Sequence, residues 1–362
     1  MSRQALALKY RPKSFDDLTE QESIKRILST QIATNTIKNG YLFTGPAGCG
    51  KTTSARIFAH MINNGKGIPI ELDAASNNSV DDIRGICEQA QTKALDSEYK
   101  VFILDEVHVL SNQAWQAMLK TLEEPPMKSI FILCTTNPEK IPQTILSRVQ
   151  RYNFQKIGLE GIVYRLITIL EAESDEFCEE HGNDFMSQEE YMSEGGYDWD
   201  IHAIHLIAKL ANGGMRDAIT LMDKCLSYSH HLTEDNVVSA LGVADYSTMF
   251  DLTAFILQQS VHNCLDVIDS VYNSGVDLKQ FMKTYFEFIL DVRKYELHKS
   301  FDRIKIPTTY ESDLSEYGEQ EYLVVGKLME ELVDINHQIK WEKDCKSYIE
   351  ARLMLFVERI KV

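Results

Sequence analysis

Eight residues, GPAGCGKT at 45–52, constrain this chain more than any other stretch. They fit the pattern G-x-x-x-x-G-K-[ST], preceded by the apolar run YLFT (41–44) and followed by a helical pattern over 52–63. In that setting the pattern reads as a phosphate loop. Its glycines let backbone N–H groups turn inward around phosphate oxygens, and the helix N-terminus adds partial positive charge. Gly45, Pro46, Ala47, Gly48, Cys49, Gly50, Lys51, Thr52 and Thr53 are thus candidate contacts to ATP. Lys51 is placed to reach the β- and γ-phosphates, and the Thr52 hydroxyl to ligate Mg2+.

The surroundings supply the fold class. The runs IPIEL (68–72), VFIL (101–104), IFILCT (130–135) and YNF (152–154) read with YLFT as buried parallel strands. Helical patterns near 52–63, 79–95, 112–122 and 142–147 alternate with them. Such a series predicts an α/β domain with helices on both faces of a parallel sheet. Ser79, with Asp82 three residues on, marks a helix start, and Pro125-Pro126 ends the helix that carries Trp115 and Leu119. After about residue 157 strand signals stop. Residues 158–242 read as a small helical module and 243–362 as a further all-α domain. Phe281, Tyr285, Phe288, Ile289 and Val292 share one helical face, as do Ile349, Leu353, Phe356, Val357 and Ile360. Each face suits a bundle core or a subunit interface. Residues 298–318 read as an inter-helix loop.

Two carboxylates follow the third strand in VFILDE (101–106). Asp105 belongs near Mg2+ and Glu106 is placed to polarise an attacking water, on a strand expected to neighbour that of the phosphate loop. At the exit of the next strand, CTTNP (134–138) offers Thr136, with Asn137 second, as a contact to the γ-phosphate or the water. The stretch DEVH also resembles a helicase box, but residues 158–362 carry no second motor domain with its own arginine motif.

The net charge of −17 argues at first against nucleic acid. Residues 171–200, however, hold 12 acidic side chains and no Lys or Arg, whereas residues 1–157 hold 19 basic against 16 acidic side chains. The bulk charge thus reports one acidic insertion, read as a solvated loop or mobile linker. The 7 cysteines form no C-x-x-C pair, and Cys178 with His181 makes only a lone C-x-x-H, so reduced thiols and a cytoplasmic setting are expected. No run of 18 apolar residues suggests a membrane span, and the first residues are too polar for a secretory signal.

As a set the motifs resemble the clamp-loader branch of the AAA+ ATPases, in particular the bacterial DNA polymerase III gamma/tau family. KYRPKSFDDL (9–18), DAASNNSVDDIR (73–84), DEVHVLS (105–111), LKTLEEPP (119–126), TTNPEKIPQTILSRVQRYNF (135–154) and GGMRDAITLMDK (213–224) occur in the family's order. The resemblance is strong over 1–157, good near 203–242 and architectural beyond. It implies an AAA+ ATPase domain (1–157), a helical lid (158–242, carrying the acidic insertion 171–200) and a helical oligomerisation collar (243–362). It implies that Tyr10, Arg11 and Pro12 lie against the adenine and that Arg216 touches the nucleotide of its own subunit. Arg148, of the Ser-Arg pair, would be an arginine finger reaching the ATP of the adjacent subunit. A surface salt bridge is the plainer reading of Arg148.

The implied activity is ATP hydrolysis, stimulated by clamp and DNA, that opens a sliding clamp and loads it onto primer–template DNA within a pentameric loader. Another AAA+ DNA remodeller, of branch-migration or initiator type, is the alternative. Asn77, Asn78, Arg84 and Lys140 are candidate contacts to the DNA backbone, without sequence specificity. Ser111, Asn112 and Trp115 are candidate contacts to the clamp, and Trp115 reads equally well as a core residue. Three features depart from the family's pattern, the acidic insertion 171–200 being one. HMINNGKGIPIEL (60–72) runs straight across the place of the usual four-cysteine module, so no zinc is expected. Val149 replaces the cysteine of Ser-Arg-Cys. The chain also stops after the third domain, as the short gamma form does. A bacterial cell or a virus-infected one is the expected setting.

Overall fold

The apolar runs YLFT, VFIL and IFILCT bury both of their faces. The computed structural model describes residues 4–181, 191–192, 196–241, 246–301 and 303–360. Strands β1 (Gly40–Thr44), β2 (Ile70–Asp73), β3 (Lys100–Asp105), β4 (Ser129–Thr135) and β5 (Gln150–Asn153) form one parallel sheet in the order β2-β3-β4-β1-β5. Successive side chains alternate between faces. Tyr41, Phe43, Val101, Ile103, Ile130 and Ile132 meet Ile24 and Leu28 of α2 (Glu22–Ala33) and Ile57 and Phe58 of α3 (Lys51–Ile62). Leu42, Phe102, Leu104, Phe131 and Leu133 meet Ile83 and Ile86 of α4 (Val80–Ala90), Trp115 and Met118 of α5 (Asn112–Glu123), and Ile145 of α6 (Gln143–Leu146). A parallel sheet covered on both faces has no polar side to show, which is why its strands read as unbroken apolar runs. A short helix α1 (Leu6–Lys9) precedes these elements.

Three details differ from the sequence expectations. First, β4 lies between β1 and β3, so the carboxylate strand is not the immediate neighbour of the phosphate-loop strand. Second, α4 starts at the expected Ser79, whose hydroxyl accepts from the Asp82 N–H while the Asp82 carboxylate accepts from the Ser79 N–H, but it ends at Ala90, not 95. Leu95 is fully exposed, so no apolar contact extends the helix that far. Third, α2 has no counterpart in the sequence reading, although Ile24 and Leu28 are spaced one turn apart and buried.

The chain divides into two units, Met1–Asp175 with Ala211–Asp223, and Glu176–Leu210 with Lys224–Val362. Helix α7 (Leu159–His181) contributes to both, and its reach corrects the reading of the acidic stretch. Residues 171–181 are helical, and Glu173 is buried. Its carboxylate accepts from the Lys9 ammonium at 2.6 Å and from the Tyr10 hydroxyl at 2.8 Å. A carboxylate tolerates burial only with such partners. Residues 182–190 and 193–195 of the acidic stretch lie outside the described residues.

The second unit holds α8 (Ile201–Leu210), the C-terminal part of α9 (Met215–Tyr228) and α10 (Glu234–Leu241). It also contains a parallel two-residue pair, β6 (Asp198–Trp199) with β7 (His231–Leu232), which corrects the expectation that strands stop at 157. Two residues carry no periodicity, so the pair left no pattern to read. Next come α11 (Tyr246–Leu257), α12 (Val261–Asn273), α13 (Leu278–His298), α14 (Glu311–Ser315), α15 (Glu319–Gln338) and α16 (Cys345–Ile360). Phe281, Tyr285, Phe288, Ile289 and Val292 of α13 join Ile349, Leu353, Phe356 and Val357 of α16 in one core. Those two apolar faces are therefore spent within the chain. Within that core the Tyr285 hydroxyl sits 2.9 Å from that of Thr253. The expected loop 298–318 is partly ordered: it contains α14 and buries Ile304, Ile306 and Leu314.

Candidate nucleotide site

The site lies at the carboxyl ends of β1, β3 and β4, where parallel strands place their loops together. The phosphate loop leaves β1 at Thr44 and enters α3 through Gly50, whose φ of 96° is left-handed and suits glycine. The first N–H groups of α3 have no partner within the helix, so this end favours an anion. Lys51 is buried at 6 % exposure and its ammonium donates to the carbonyls of Gly45 at 2.9 Å and Pro46 at 2.7 Å. Cys49, also buried, directs its thiol to the Pro46 carbonyl at 2.9 Å. Burial pushes the Cys49 thiol up, and the neighbouring Lys51 charge only partly offsets it.

Across the site the Thr52 hydroxyl donates to Asp105 Oδ2 at 2.6 Å. A hydroxyl and a carboxylate this close are hard oxygen donors of the kind Mg2+ takes, so the residues fit that ion. Glu106, at φ 49°, turns the chain out of β3. A left-handed residue without glycine's freedom is costly, and such strain gathers at working sites. The Thr136 hydroxyl donates to Glu106 Oε2 at 3.0 Å, so β4 reaches the same carboxylate.

One cleft is lined by Tyr10, Arg11, Pro12, Ala47, Gly48, Cys49, Gly50, Lys51, Thr52, Thr53, Asp105, Glu106 and Arg216. Residues from four separated stretches are thereby brought together. The cleft also takes Leu18, Thr19, Ile157, Arg165, Met215 and Ile219, which the motifs did not single out. Arg165 donates to the Tyr10 carbonyl at 3.0 Å and so fixes the Tyr10-Arg11-Pro12 segment. The start of α9 is tied to the loop by the Met215 N–H, which donates to the Gly48 carbonyl at 3.0 Å.

The other expected residues lie elsewhere. Arg148 does not line this cleft. Its guanidinium contacts the Glu123 carboxylate and the Thr144 carbonyl, and donates to Ser147 Oγ at 3.0 Å. Asn78, Arg84 and Lys140 are exposed; Asn77 donates to the Asp73 carbonyl at 3.1 Å, and Arg84 pairs with Asp81 at 3.2 Å. Ser111 caps α5 by accepting from the Ala114 N–H, and Asn112 is exposed. Trp115 is 3 % exposed and packs in the sheet core, which corrects its place among the clamp contacts in favour of the core reading: its position in α5 faces the sheet, not solvent. His108 was also missed. It stands 3.1 Å from Glu106 Oε2, and only the neighbouring acidic pair marked its position in the sequence. Among the described residues no three His, Cys, Asp or Glu side chains group as metal ligands, and no single helix is long and apolar enough to cross a membrane.

The model of the DNA polymerase III clamp loader subunit ATPase lid domain matches residues 189–231. That of DNA polymerase III subunits gamma and tau domain III matches 232–322, and that of the DNA polymerase III delta subunit matches 66–158. DNA polymerase III subunit gamma of Buchnera aphidicola subsp. Schizaphis graminum is 31% identical over 80% of this chain and 80% of its own. The chain belongs to the DNA polymerase III gamma/tau family of AAA+ clamp-loader proteins. Subunit tau of Bacillus subtilis is 32% identical over 98% of this chain and 63% of its own length. The gamma/tau subunit of Mycoplasma genitalium is covered over 54%, so the chain spans little more than half of some of these relatives. Among solved structures, the Thermotoga maritima RuvB Holliday junction branch migration motor overlaps 76% of this chain and 87% of its own, at 18% identity and a TM-score of 0.48.

Proposed function

We propose that this gamma/tau family member is an ATP-hydrolysing subunit of a sliding-clamp loader that opens the clamp and places it on primer–template DNA. The observation that carries the reading is the split between two sets of residues. Lys51, Thr52, Asp105, Glu106 and Arg216 line one cleft, with Thr136 bonded to Glu106, while Arg148 stands outside it. A chain built this way binds the nucleotide itself and leaves the last cation to a neighbour.

In this reading the phosphates rest on the N–H groups of the loop and on Lys51. Thr52 and Asp105 would hold Mg2+, which when bound neutralises phosphate charge. Glu106 accepts a proton from the attacking water. Arg148 reaches the phosphates in the adjacent subunit, where its planar fork meets the charge that grows in the transition state. Arg216 senses its own nucleotide from α9. Domain roles follow the family's order: ATPase domain over 1–157, lid over 158–242 and collar over 243–362. Pentameric assembly with other loader subunits, backbone contacts to DNA through Asn77, Asn78, Arg84 and Lys140, and clamp contacts near Ser111 and Asn112 belong to the same proposal. So do the absence of zinc and a cytoplasmic setting in a bacterial or virus-infected cell.

The partners of Arg148 suit this role. A surface ion pair contributes about 0–1 kcal/mol, so leaving Glu123 costs little. A finger that engages is worth about 4–7 kcal/mol of barrier, or roughly 10³–10⁵ in rate. In the assembled loader, Arg148→Ala retains nucleotide binding and loses the hydrolysis stimulated by clamp and primed DNA, whereas Lys51→Ala loses nucleotide affinity itself. Full stimulation in Arg148→Ala would reject the role in trans.

A further inference from the structure

Past Glu106 the chain makes a single 3-10 turn, Val107–Val109, which brings His108 back against the end of β4. His108 Nδ1 lies 3.1 Å from Glu106 Oε2 and 3.2 Å from Thr135 Oγ1. The same Oε2 accepts from the Thr136 hydroxyl at 3.0 Å and the Thr136 N–H at 3.4 Å. Thr135 Oγ1 is itself fixed by the Asn137 N–H at 3.0 Å. Polar groups from two elements therefore converge on one oxygen of the carboxylate. An ionised carboxylate only accepts, so the tautomer with its hydrogen on Nδ1 suits this contact and avoids setting a ring lone pair against that of Oε2. The imidazole is 13% exposed, which limits competition from water.

We propose that His108 is a positioning residue for Glu106. It and Thr136 anchor Oε2, and the anchored carboxylate turns Oε1 to the water that Glu106 polarises. The inference rests on the hydrolytic reading above. Neither the phosphate-loop pattern nor the acidic pair assigns His108 this part, and the role requires a donor at a set place, not an imidazole as such. Asparagine offers an amide N–H close to the place of Nδ1, whereas leucine keeps bulk and offers no donor.

The test uses the full chain assembled with its loader partners, clamp and primed DNA. Steady-state ATP turnover and equilibrium binding of a fluorescent ATP analogue are measured for wild type, His108→Leu, His108→Asn and Glu106→Gln. His108→Leu is expected to lower kcat by about ten- to a hundred-fold, the worth of one hydrogen bond to a charged group, with nucleotide affinity unchanged. His108→Asn is expected to recover most of the loss. Wild-type turnover in His108→Leu overturns the proposal. So does equal slowing in both variants, which would make ring shape the cause, and so does a parallel loss of nucleotide binding. Glu106→Gln separates the two levels: if it turns over like wild type, or wild type itself does not hydrolyse ATP, the hydrolytic reading fails. If Glu106→Gln is inactive and His108→Leu is not, only the role of His108 fails.

Discussion

Gly48 sits where the phosphate loop meets the start of α9, and replacing it by alanine tests whether those two pieces form one rigid site. Its φ of 71° is left-handed, which costs a residue with a Cβ about 1–2 kcal/mol. The added Cβ would stand 2.9 Å from Gly214 Cα and 3.2 Å from its carbonyl carbon. These are backbone atoms, so the strain is not relieved by turning a side chain. Either the loop or the 213–216 segment has to shift, and the hydrogen bond from the Met215 N–H to the Gly48 carbonyl, now 3.0 Å, lengthens with it. A hydrogen bond of that kind contributes about 1 kcal/mol, so the total loss comes to roughly 2–3 kcal/mol. For a unit of about 150–250 residues, each kcal/mol moves Tm by about 2–4 °C, so Gly48→Ala should melt roughly 4–12 °C early. It should also bind the fluorescent ATP analogue weakly, because Arg216 follows Met215 directly. Gly85→Ala is the control: no atom lies within 4 Å of its added Cβ, and it sits within α4. There alanine gains helix propensity, worth up to about 1 kcal/mol. A Gly48→Ala chain that melts with wild type and binds nucleotide as tightly would refute the reasoning.

Two further outcomes follow from other parts of the chain. Glu173→Ala leaves Lys9 and the Tyr10 hydroxyl without a shared acceptor, so the Tyr10-Arg11-Pro12 segment loosens and nucleotide affinity falls; a hydrogen bond to a charged group is worth about 1.5–3 kcal/mol, an upper bound of roughly ten- to a hundred-fold in Kd by titration with the analogue. Burial pushes the Cys225 thiol from an ordinary 9.0 up to about 12 and that of Cys264 up to about 11, so both stay neutral in the folded chain while an unfolded chain would ionise. Their contribution is whole below pH 9 and is lost as pH rises toward about 12; urea unfolding at pH 8 and pH 10 should show a lower midpoint at the higher pH, and an unchanged midpoint would count against the burial of these thiols.

The parts of the fold legible from sequence were those with a period or a sharp local rule. Runs such as VFIL announced buried strands because both faces are covered, and Ser79 with Asp82 announced a helix start because the two side chains satisfy each other's N–H groups. The sheet order was not legible, since nothing local in YLFT or VFIL says that β4 separates them. That order explains why Thr136 meets Glu106: the strand between the loop and the carboxylates has to end beside both. The acidic stretch misled because composition says nothing of pairing; Glu173 is buried against Lys9 and Tyr10, more than 160 residues away. Trp115 was left open between clamp contact and core, and its place in α5 points it into the core. His108 was hidden because its partners come from a turn and from a strand some 27 residues on.

The division of labour in the site has an energetic reason. In the proposed reading the groups that hold the nucleotide come from stretches as far apart as Tyr10 and Arg216, and their alignment depends on the sheet and on short ties such as Arg165 to the Tyr10 carbonyl. Folding has therefore already met the entropy of arranging them, and binding alone gains from it. Transition-state stabilisation is different, because charge on the transferred group calls for one more cation after binding. Lys51 is committed to the loop, and Arg148 is held at the surface by Glu123 and Ser147, where an exposed pair contributes about 1 kcal/mol at most. If the missing cation were supplied within the chain, binding and hydrolysis would run together. In the proposed reading, leaving it outside separates them by the few kcal/mol that one finger provides. A clamp loader of the kind proposed would need that gap, to hold ATP until its partners are in place, and a weak surface pair, easily exchanged for a phosphate, would be the least costly way to keep the cation ready.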